Sequence, residues 1–342
     1  MFRIYLLVLL IITFASCSEK KNSERHIEEI RISGNAQGTT FSIIFLDSLA
    51  RDFSKEVDSI LEAVDLSVST YRGNSIISKI NRNDTSVIID PVFSSIFKLS
   101  EEISEKTSGA FDVTVGPFVN AWGFGKNNRA NTDDNFIDSL KSFVGFNNVR
   151  LEGVKLIKND PRMQIDFNAI AQGFTVDFIA DFFEDKGIWN YMIELGGEVK
   201  ANGFNFSGES WKIGIDKPIE GGAEERELSL IIQLNNRALA TSGNYRKFYE
   251  EDGKKYSHTI NPFTGYPVQH NLLSASVLTE KCGVADAYAT AFMVMGVEKT
   301  LNFLNQNNDF DLEVYLIYQE EKGEMKVFKS QGFAAVIVEA LD

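Results

Sequence analysis

The sequence is poor in cysteine, in histidine and in basic residues. Its 342 residues include two cysteines and three histidines, and 34 Lys and Arg residues stand against 48 Asp and Glu residues. The formal net charge is −14 and no basic block is present. This charge argues against a nucleic-acid partner, because phosphate backbones select faces rich in Lys and Arg. The negative net charge does not argue against a bound nucleotide that is held by a metal ion and backbone amides.

Several common signatures are also missing from the sequence. It has no zinc-type Cys/His spacing, no Walker-type phosphate loop, no internal repeat and no low-complexity tract. A hydrophobic fraction of 44% with 12% aromatic residues is nevertheless ample for a core and argues against disorder. The length allows one large domain or two smaller ones.

The N-terminus resembles a bacterial lipoprotein signal. Arg3 precedes an apolar run over residues 4–15, which is too short for a comfortable membrane span, and small residues then lead to Cys17. We expect Cys17 to be lipidated and to anchor the protein in the bacterial cell envelope, facing the periplasm. The alternative is an ordinary cleaved signal with an incidental Cys. The predicted division is a lipoprotein signal peptide at 1–16, a flexible tether at 17–28 and a folded domain at 29–342.

The predicted lipidation of Cys17 also bears on disulfide formation. Lipidation of Cys17 leaves Cys282 as the one other cysteine. The mature chain is therefore predicted to have no intramolecular disulfide, although it is exported.

Hydrophobic periodicity predicts a mixture of strands and helices. Alternating residues predict two strands around a turn at 34–38, and amphipathic spacing predicts a helix that begins at Asp47 or Ser48. A second helix is predicted over Pro91–Lys106, with Pro at a favourable first-turn position.

Ala240–Pro267 is the segment richest in polar groups suited to a ligand. The Asp-Gly pair within it predicts a β-hairpin, and the second strand of this hairpin leads to His258. Hydroxyls, an amide, an Arg and one of the three histidines gather here, and turn formation alone does not explain them. We interpret the segment as part of a ligand site.

Two further segments point to backbone groups near a ligand. The Gly-rich stretch 109–125 predicts backbone approaching a flat molecule, or alternatively a loop around a buried Trp. Asp166 precedes a predicted helix whose N-terminus would offer free amides and a positive dipole end to a phosphate. The more common role for such an Asp is to cap the helix.

Asp286 and Thr290 are predicted metal ligands. They lie four residues apart on a predicted long helix that begins near Cys282, so they share one face. A carboxylate and a hydroxyl are oxygen ligands of the kind that Mg²⁺ takes, with substrate phosphates or waters in its other positions. The alternative is a solvated surface pair.

The order of these motifs along the chain resembles the ApbE family of FAD:protein FMN transferases, which are often periplasmic lipoproteins. The resemblance runs from about residue 30 to the C-terminus. It rests on motifs at 36–40, 69–71, 75–81, 109–125, 166–173, 241–246, 257–267 and 285–290.

The resemblance implies a T-fold-like α+β core of mixed or antiparallel sheets with packed helices. It also implies an enzyme that cleaves FAD in a magnesium-dependent reaction, attaches FMN through a phosphoester bond to a Thr or Ser of an exported flavoprotein, and releases AMP. The implied metal ligands are Asp286, Thr290 and the main-chain carbonyls of Ala169 and Ala289. The implied FAD contacts are Gln37, Tyr71, Ala110, Phe111, Asp112, Asp166, Gln172 and Ile260.

Two of these positions depart from the family pattern. Gln37 stands where Met is frequent, and Gln172 stands where Lys is frequent. The second change removes a positive charge near the expected phosphate.

Two residues are candidates for the proton acceptor of the transfer. His258 has a suitable intrinsic pKa, and Asp166 is the other candidate. The alternative for His258 is a hydrogen-bonded histidine in the core. Two other functions use the same residues: a magnesium-dependent periplasmic FAD pyrophosphatase that yields FMN and AMP, and a non-catalytic FAD-binding lipoprotein.

Overall fold

The computed structural model of the protein describes residues 27–125, 132–218, 227–244, 248–251, 254–320 and 323–341. The strands in these ranges are β1 (Glu28–Ala36), β2 (Thr39–Asp47), β3 (Val149–Glu152), β4 (Lys155–Lys158), β5 (Tyr191–Leu195), β6 (Glu198–Asn202), β7 (Trp211–Asp216), β8 (Leu228–Leu234), β9 (Arg237–Gly243), β10 (Phe248–Glu251), β11 (Lys254–Ser257), β12 (Leu272–Thr279), β13 (Glu313–Gln319), β14 (Met325–Lys329) and β15 (Ile337–Ala340). The helices are α1 (Ser54–Val68), α2 (Ile76–Asn81), α3 (Pro91–Lys106), α4 (Gly116–Ala121), α5 (Asp134–Lys141), α6 (Ala171–Asp185), α7 (Cys282–Gln306) and α8 (Gln331–Ala335), with one 3₁₀ turn at Phe146–Asn148.

The central sheet has the strand order β1-β2-β5-β6-β9-β12-β13-β14, and every neighbouring pair in it is antiparallel. On one face, β1, β2 and β5 pack against α1 and α6 through a cluster that includes Phe45, Val57 and Phe183. On the other face, a three-stranded sheet, β15-β8-β7, contributes Trp211 and Ile232 to a second cluster. The sheet is therefore covered on both faces.

A third and larger cluster joins α3, α4 and α7 to strands β12 and β13. It buries large side chains such as Phe97, Phe118, Phe292 and Leu316. Residues from three of the predicted site segments, Ala110, Ile260 and Ala285, belong to this cluster. The core thus fixes the relative positions of motifs that are distant in sequence.

The structure confirms the α+β class, the helix at Pro91–Lys106 and the hairpin within Ala240–Pro267, which is formed by β10 and β11. Residues 245–247 and 252–253 of the predicted ligand segment lie outside the described residues. The predicted long helix is present as α7, with a kink at Gly296, where φ is 75°. None of the helices in the described ranges has the length and apolar content needed to cross a bilayer.

The prediction that the first helix begins at Asp47 or Ser48 is wrong. Asp47 is the last residue of β2, and its carboxylate accepts backbone N–H bonds from Leu49 and Arg51. It also pairs with the Arg51 guanidinium at 2.7 Å. These bonds hold a turn in place of a helix start, so α1 begins only at Ser54.

Candidate active site

The site is built on a close contact between the first turns of α6 and α7. A Cβ atom added to Gly173 of α6 would lie 2.4 Å from the carbonyl oxygen of Cys282, and one added to Gly283 of α7 would lie 3.2 Å from the Phe174 backbone. Glycine at these two positions lets the helix backbones approach more closely than side chains would permit. The contact brings two sequence motifs together that are more than one hundred residues apart.

Each of these helices is capped by a carboxylate from the other one. The cap residues Ile170 and Lys281 make no side-chain cap bond of their own. Instead, Asp286 of α7 accepts the N–H of Gly173 at 3.1 Å, and Asp177 of α6 accepts the N–H groups of Cys282 and Gly283, each at 2.9 Å. Backbone N–H groups at a helix start need such partners. This reciprocal capping fixes Asp286 against the start of α6.

The environment of the two carboxylates is buried and polar. Burial raises the pKa of Asp286 to about 7, and the bond from Gly173 opposes that shift. Burial also raises the pKa of Asp177, against the opposing charge of Lys200, whose Nζ lies 3.4 Å from the Asp177 carboxylate. Cys282 is buried and unbridged between these groups.

Thr290 meets a residue to which the sequence assigned no role. The Thr290 hydroxyl lies 3.1 Å from the hydroxyl of Ser242, at the end of β9. Ser242 belongs to the 241–246 motif, whose first three residues lie in β9, so the sequence indicates the motif but not this partner. One face of α7 therefore carries the Asp286 carboxylate and the Thr290 hydroxyl, and the Ser242 hydroxyl of β9 lies beside Thr290.

The residues around Asp286 fit a hard cation. The structure places Asp286 against Gly173, in the first turn of α6 and four residues after Ala169. Ala289 is buried within α7. In the described part of the chain, no group of three or more His, Cys, Asp or Glu side chains is arranged to hold a metal ion. The predicted ligands are instead one carboxylate, one hydroxyl and two main-chain carbonyls, which is the oxygen chemistry that Mg²⁺ accepts when a substrate completes its coordination.

The prediction that the start of α6 offers free amides is wrong at two positions. Ala171 N–H donates to the Phe167 carbonyl at 2.9 Å, and Gly173 N–H donates to Asp286. Asp166 does not cap the helix either, since the cap position is Ile170. The Asp166 carboxylate instead accepts the N–H of Asn168 at 2.8 Å, in a turn that precedes the helix.

Gln37 and Gln172 lie at the same end of α6. The Gln37 Nε2 donates to the Thr175 hydroxyl at 2.8 Å, and the Gln172 side chain fills the space beside Gly196, where a Cβ would be 2.8 Å from its Nε2. The Gln37 Oε1 is buried and has no hydrogen-bond partner among the described residues. A buried acceptor of this kind fits a site that a polar ligand completes.

Tyr71, Asp112 and Asp166 form the neighbouring part of the site. The Asp166 N–H donates to the Val113 carbonyl at 2.8 Å, which places residues 112–113 beside it. Burial and the Asp166 charge raise the pKa of Tyr71, and burial raises the pKa of Asp166 itself. Burial raises the pKa of Asp112 to about 6, against hydrogen bonds from Thr114. Carboxylates held in this way are suited to accept a proton near neutral pH.

Ala110 and Phe111 are both buried, and the Phe111 side chain belongs to the core. Trp122 is buried as well and donates from Nε1 to the Gly265 carbonyl at 2.7 Å. The Gly-rich segment 109–125 is therefore a loop and short helix around a buried Trp. The burial of Trp122 agrees with the second of the two interpretations, while the approach of this backbone to a flat molecule stays a prediction.

The loop after β11 packs on this Gly-rich segment. His258 is half-buried and directly follows β11, while Ile260 is buried and forms a β-bridge with Pro267. The bond from Trp122 to Gly265 ties the loop to residues 109–125. The 166–173 motif meets the 109–125 motif through the bond from Asp166 to Val113, and it meets the 285–290 motif through the bond from Gly173 to Asp286.

Replacing Gly173 by Ala is expected to destabilise the protein and to weaken the site. The new methyl group would meet backbone atoms of Cys282, which have no room to move aside, so α6 and α7 must separate. Overpacking of this kind costs about 1–3 kcal/mol. Chemical denaturation of the variant measures the loss. Gly73→Ala is the matched control, because Gly73 is exposed, a Cβ there meets nothing within 4 Å, and its φ lies outside the positive region that favours glycine. An equal loss in both variants would contradict a specific role for the helix contact.

Comparisons with known proteins identify the family of the chain. A model of the ApbE family matches residues 37–316, which is more than half of the chain. The chain is 35% identical over 331 residues to a FAD:protein FMN transferase of Vibrio cholerae, covering 94% of this chain and 97% of that protein. It is 36% identical over 330 residues to a protein of the same name from Haemophilus influenzae, covering 92% of each.

Two solved structures have the same fold. The flavin transferase ApbE from Vibrio cholerae has a TM-score of 0.81 and 34% sequence identity, covering 91% of this chain and 100% of that one. The apo form of the Pseudomonas stutzeri flavinyl transferase ApbE has a TM-score of 0.80 and 27% identity, covering 92% and 98%. The extent of the family match and the identity to these relatives show that the chain belongs to the ApbE family.

Proposed function

We propose that the protein is a FAD:protein FMN transferase that uses Mg²⁺ and modifies a Thr or Ser hydroxyl of an exported flavoprotein. The observation that carries the proposal is the placement of Asp286 against the start of α6, with Thr290 one turn further along α7 and beside Ser242, in a chain that belongs to the ApbE family. The buried acceptor of Gln37 and the carboxylates of Asp112 and Asp166 surround the same region. Together they provide polar groups on several sides of a bound dinucleotide.

The transfer is an exchange at one phosphorus atom. A bond forms between the acceptor hydroxyl oxygen and the FMN phosphorus, while the diphosphate bond to AMP breaks and AMP leaves. When bound, Mg²⁺ supplies charge neutralisation for the diphosphate. Asp286 and Thr290 would hold the ion, with Ser242 and the carbonyls of Ala169 and Ala289 as neighbouring oxygen donors.

The chain's own residues hold the substrates and accept the proton. His258 is assigned as the group that takes the proton from the acceptor hydroxyl, and Asp166 is the other candidate, because burial raises its pKa and so makes it a stronger base than an ordinary carboxylate. Tyr71 lies within range of the Asp166 charge, and Asp112 precedes Val113, whose carbonyl accepts the Asp166 N–H. Phosphoryl transfer depends on alignment more than on covalent help, so the rigid placement of these groups is their main contribution.

The proposed location is the bacterial cell envelope, with a lipid anchor on Cys17 and the folded domain facing the periplasm. The basis is the N-terminal pattern of a short apolar run and small residues before Cys17. An anchored enzyme of this kind would meet its acceptor after export.

The direct test is an assay with the chain from about residue 25, FAD, Mg²⁺ and an exported acceptor domain. We expect mass spectrometry to find FMN attached to the acceptor, with release of AMP and loss of the reaction when EDTA is added. An acceptor with its Thr replaced by Val is the matched control and should stay unmodified. Free FMN and AMP with an unmodified acceptor would instead identify a pyrophosphatase, and unchanged FAD would identify a binding protein.

A further inference from the structure

A group of exposed large apolar side chains lies at one end of the central sheet, far from the candidate active site. We call it the aromatic edge. Its members, with their exposed fractions, are Ile27 (47%), Leu49 (70%), Trp189 (57%), Phe204 (48%) and Phe206 (62%). Single exposed apolar residues are normal on soluble proteins, but several that share one edge indicate an interaction surface.

The strand register shows that these residues share one edge. Glu28 pairs with Asp47 across β1 and β2, and Tyr191 pairs with Asn202 across β5 and β6. Between the two pairs, Leu46 N–H donates to the Asn190 carbonyl at 2.9 Å. The residues just outside these strand ends therefore follow one another along the edge.

The loop after β6 is shaped so that it presents its two Phe residues there. Phe204 N–H donates to the Asn190 side chain at 2.9 Å, and a Cβ on Gly203 would collide with that side chain and with the Trp189 carbonyl. Asn205 closes the following turn by accepting the N–H groups of Ser207 and Glu209. The loop is thus held against Trp189 while both Phe rings stay exposed.

The same edge is where the N-terminal segment enters the fold. Ile27 and Glu28 are the first described residues, and Cys17 lies ten residues before Ile27. Ten residues span at most about 35 Å, whatever their conformation. A lipid on Cys17 would therefore keep this edge within about 35 Å of the bilayer.

The candidate active site lies at the opposite end of the sheet. The β1–β2 turn at Gln37 and Gly38 and the β5–β6 turn at Gly196 contact the start of α6 at that end. β2 has nine residues, and a strand of that length is about 30 Å long. The sheet therefore separates the aromatic edge from the site by its full strand length.

We propose that the aromatic edge rests on the lipid bilayer surface and turns the active site away from the membrane, toward the acceptor protein. The proposal rests on the lipid anchor of the proposed function. Trp and Phe rings are suited to the interface between headgroups and acyl chains. The net charge of −14 gives no general attraction to anionic lipid, so the anchor supplies the affinity and the edge sets the orientation.

The tryptophans make the proposal measurable. Trp122 and Trp211 are only 4% and 5% exposed, whereas Trp189 is 57% exposed. We would reconstitute the full-length protein, purified from bacterial membranes, into phosphatidylcholine vesicles with or without bromine on the shallow acyl carbons. Bromine is expected to quench part of the Trp emission in the anchored protein, and Trp189→Phe should remove the quenched part.

Two further variants test whether the quenching depends on the aromatic edge or on any exposed apolar residue. Phe204→Ser combined with Phe206→Ser should reduce the quenching of Trp189, while Ile88→Ser should leave it unchanged. Ile88 is a suitable control because it is 66% exposed and lies beside the β3–β4 hairpin, where Ile89 bonds to Val154.

Vesicle sedimentation, run on the same samples, distinguishes the possible failures. Protein that sediments with the vesicles but shows no bromine quenching of Trp189 would overturn the docking proposal and leave the anchor intact. Protein that does not sediment would overturn both the anchor and the docking proposal, while the flavin-transfer assay would be unaffected.

Discussion

Replacing Asp286 by Asn is expected to reduce flavin transfer by about 10²–10³-fold, the usual cost of removing one group that stabilises charge in a reacting complex. Asn keeps an oxygen that accepts the N–H of Gly173, so the cap on α6 survives. It loses the negative charge that a hard cation requires. The loss should therefore appear in activity and in Mg²⁺ dependence, and not in folding.

The measurement is the rate of FMN attachment over a range of Mg²⁺ concentrations, with the unfolding midpoint determined in parallel. Asp181→Asn is the matched control, because Asp181 is an exposed carboxylate on α6 that pairs with Lys281. We expect that control to retain full activity. An active Asp286→Asn protein with unchanged Mg²⁺ dependence would remove Asp286 from the metal site.

Replacing Asp177 by Ala is expected to cause the largest loss of stability. The change leaves Lys200 as a buried charge without its partner and removes the acceptor for the Cys282 and Gly283 N–H groups. Removing one partner of a buried ion pair costs about 3–5 kcal/mol. The free energy of unfolding, measured by urea denaturation, should fall by that amount.

Two variants test whether this loss has the stated cause. Asp181→Ala breaks an exposed ion pair between the same two helices and should cost less than about 1 kcal/mol. Asp177→Ala combined with Lys200→Met removes the unpaired charge and should recover part of the loss. If the double variant is no more stable than Asp177→Ala alone, the buried charge is not the cause.

The sequence predicted those features that depend on neighbours along the chain. The helix at Pro91–Lys106 has both its apolar spacing and its N-terminal signals within a few residues, since Asp90 caps it and Pro91 opens it. The spacing of Asp286 and Thr290 likewise follows from helix geometry alone. Both features could be read without tertiary information.

The features that the sequence did not predict depend on distant residues. The cap of α7 is Asp177, which is 105 residues away from Cys282, and Ser242 is 48 residues away from Thr290. No pattern among neighbouring residues identifies such partners. The contacts of Asp177 depend on the close packing of α6 against α7 at Gly173 and Gly283. The alternative role of Asp166 as a helix cap fails for the same reason: Asp166 precedes α6 in the sequence, whereas the carboxylate that accepts the Gly173 N–H is Asp286 of another helix.

The central claim is that Asp286, Thr290 and the start of α6 form one metal-dependent flavin site. The most direct measurement is a crystal structure of the protein with FAD and Mn²⁺, in which anomalous scattering locates the ion. The account predicts an anomalous peak at coordination distance from the Asp286 carboxylate and the Thr290 hydroxyl, with the FAD diphosphate beside it. A peak at another position, with the diphosphate bound away from Asp286, would contradict the account.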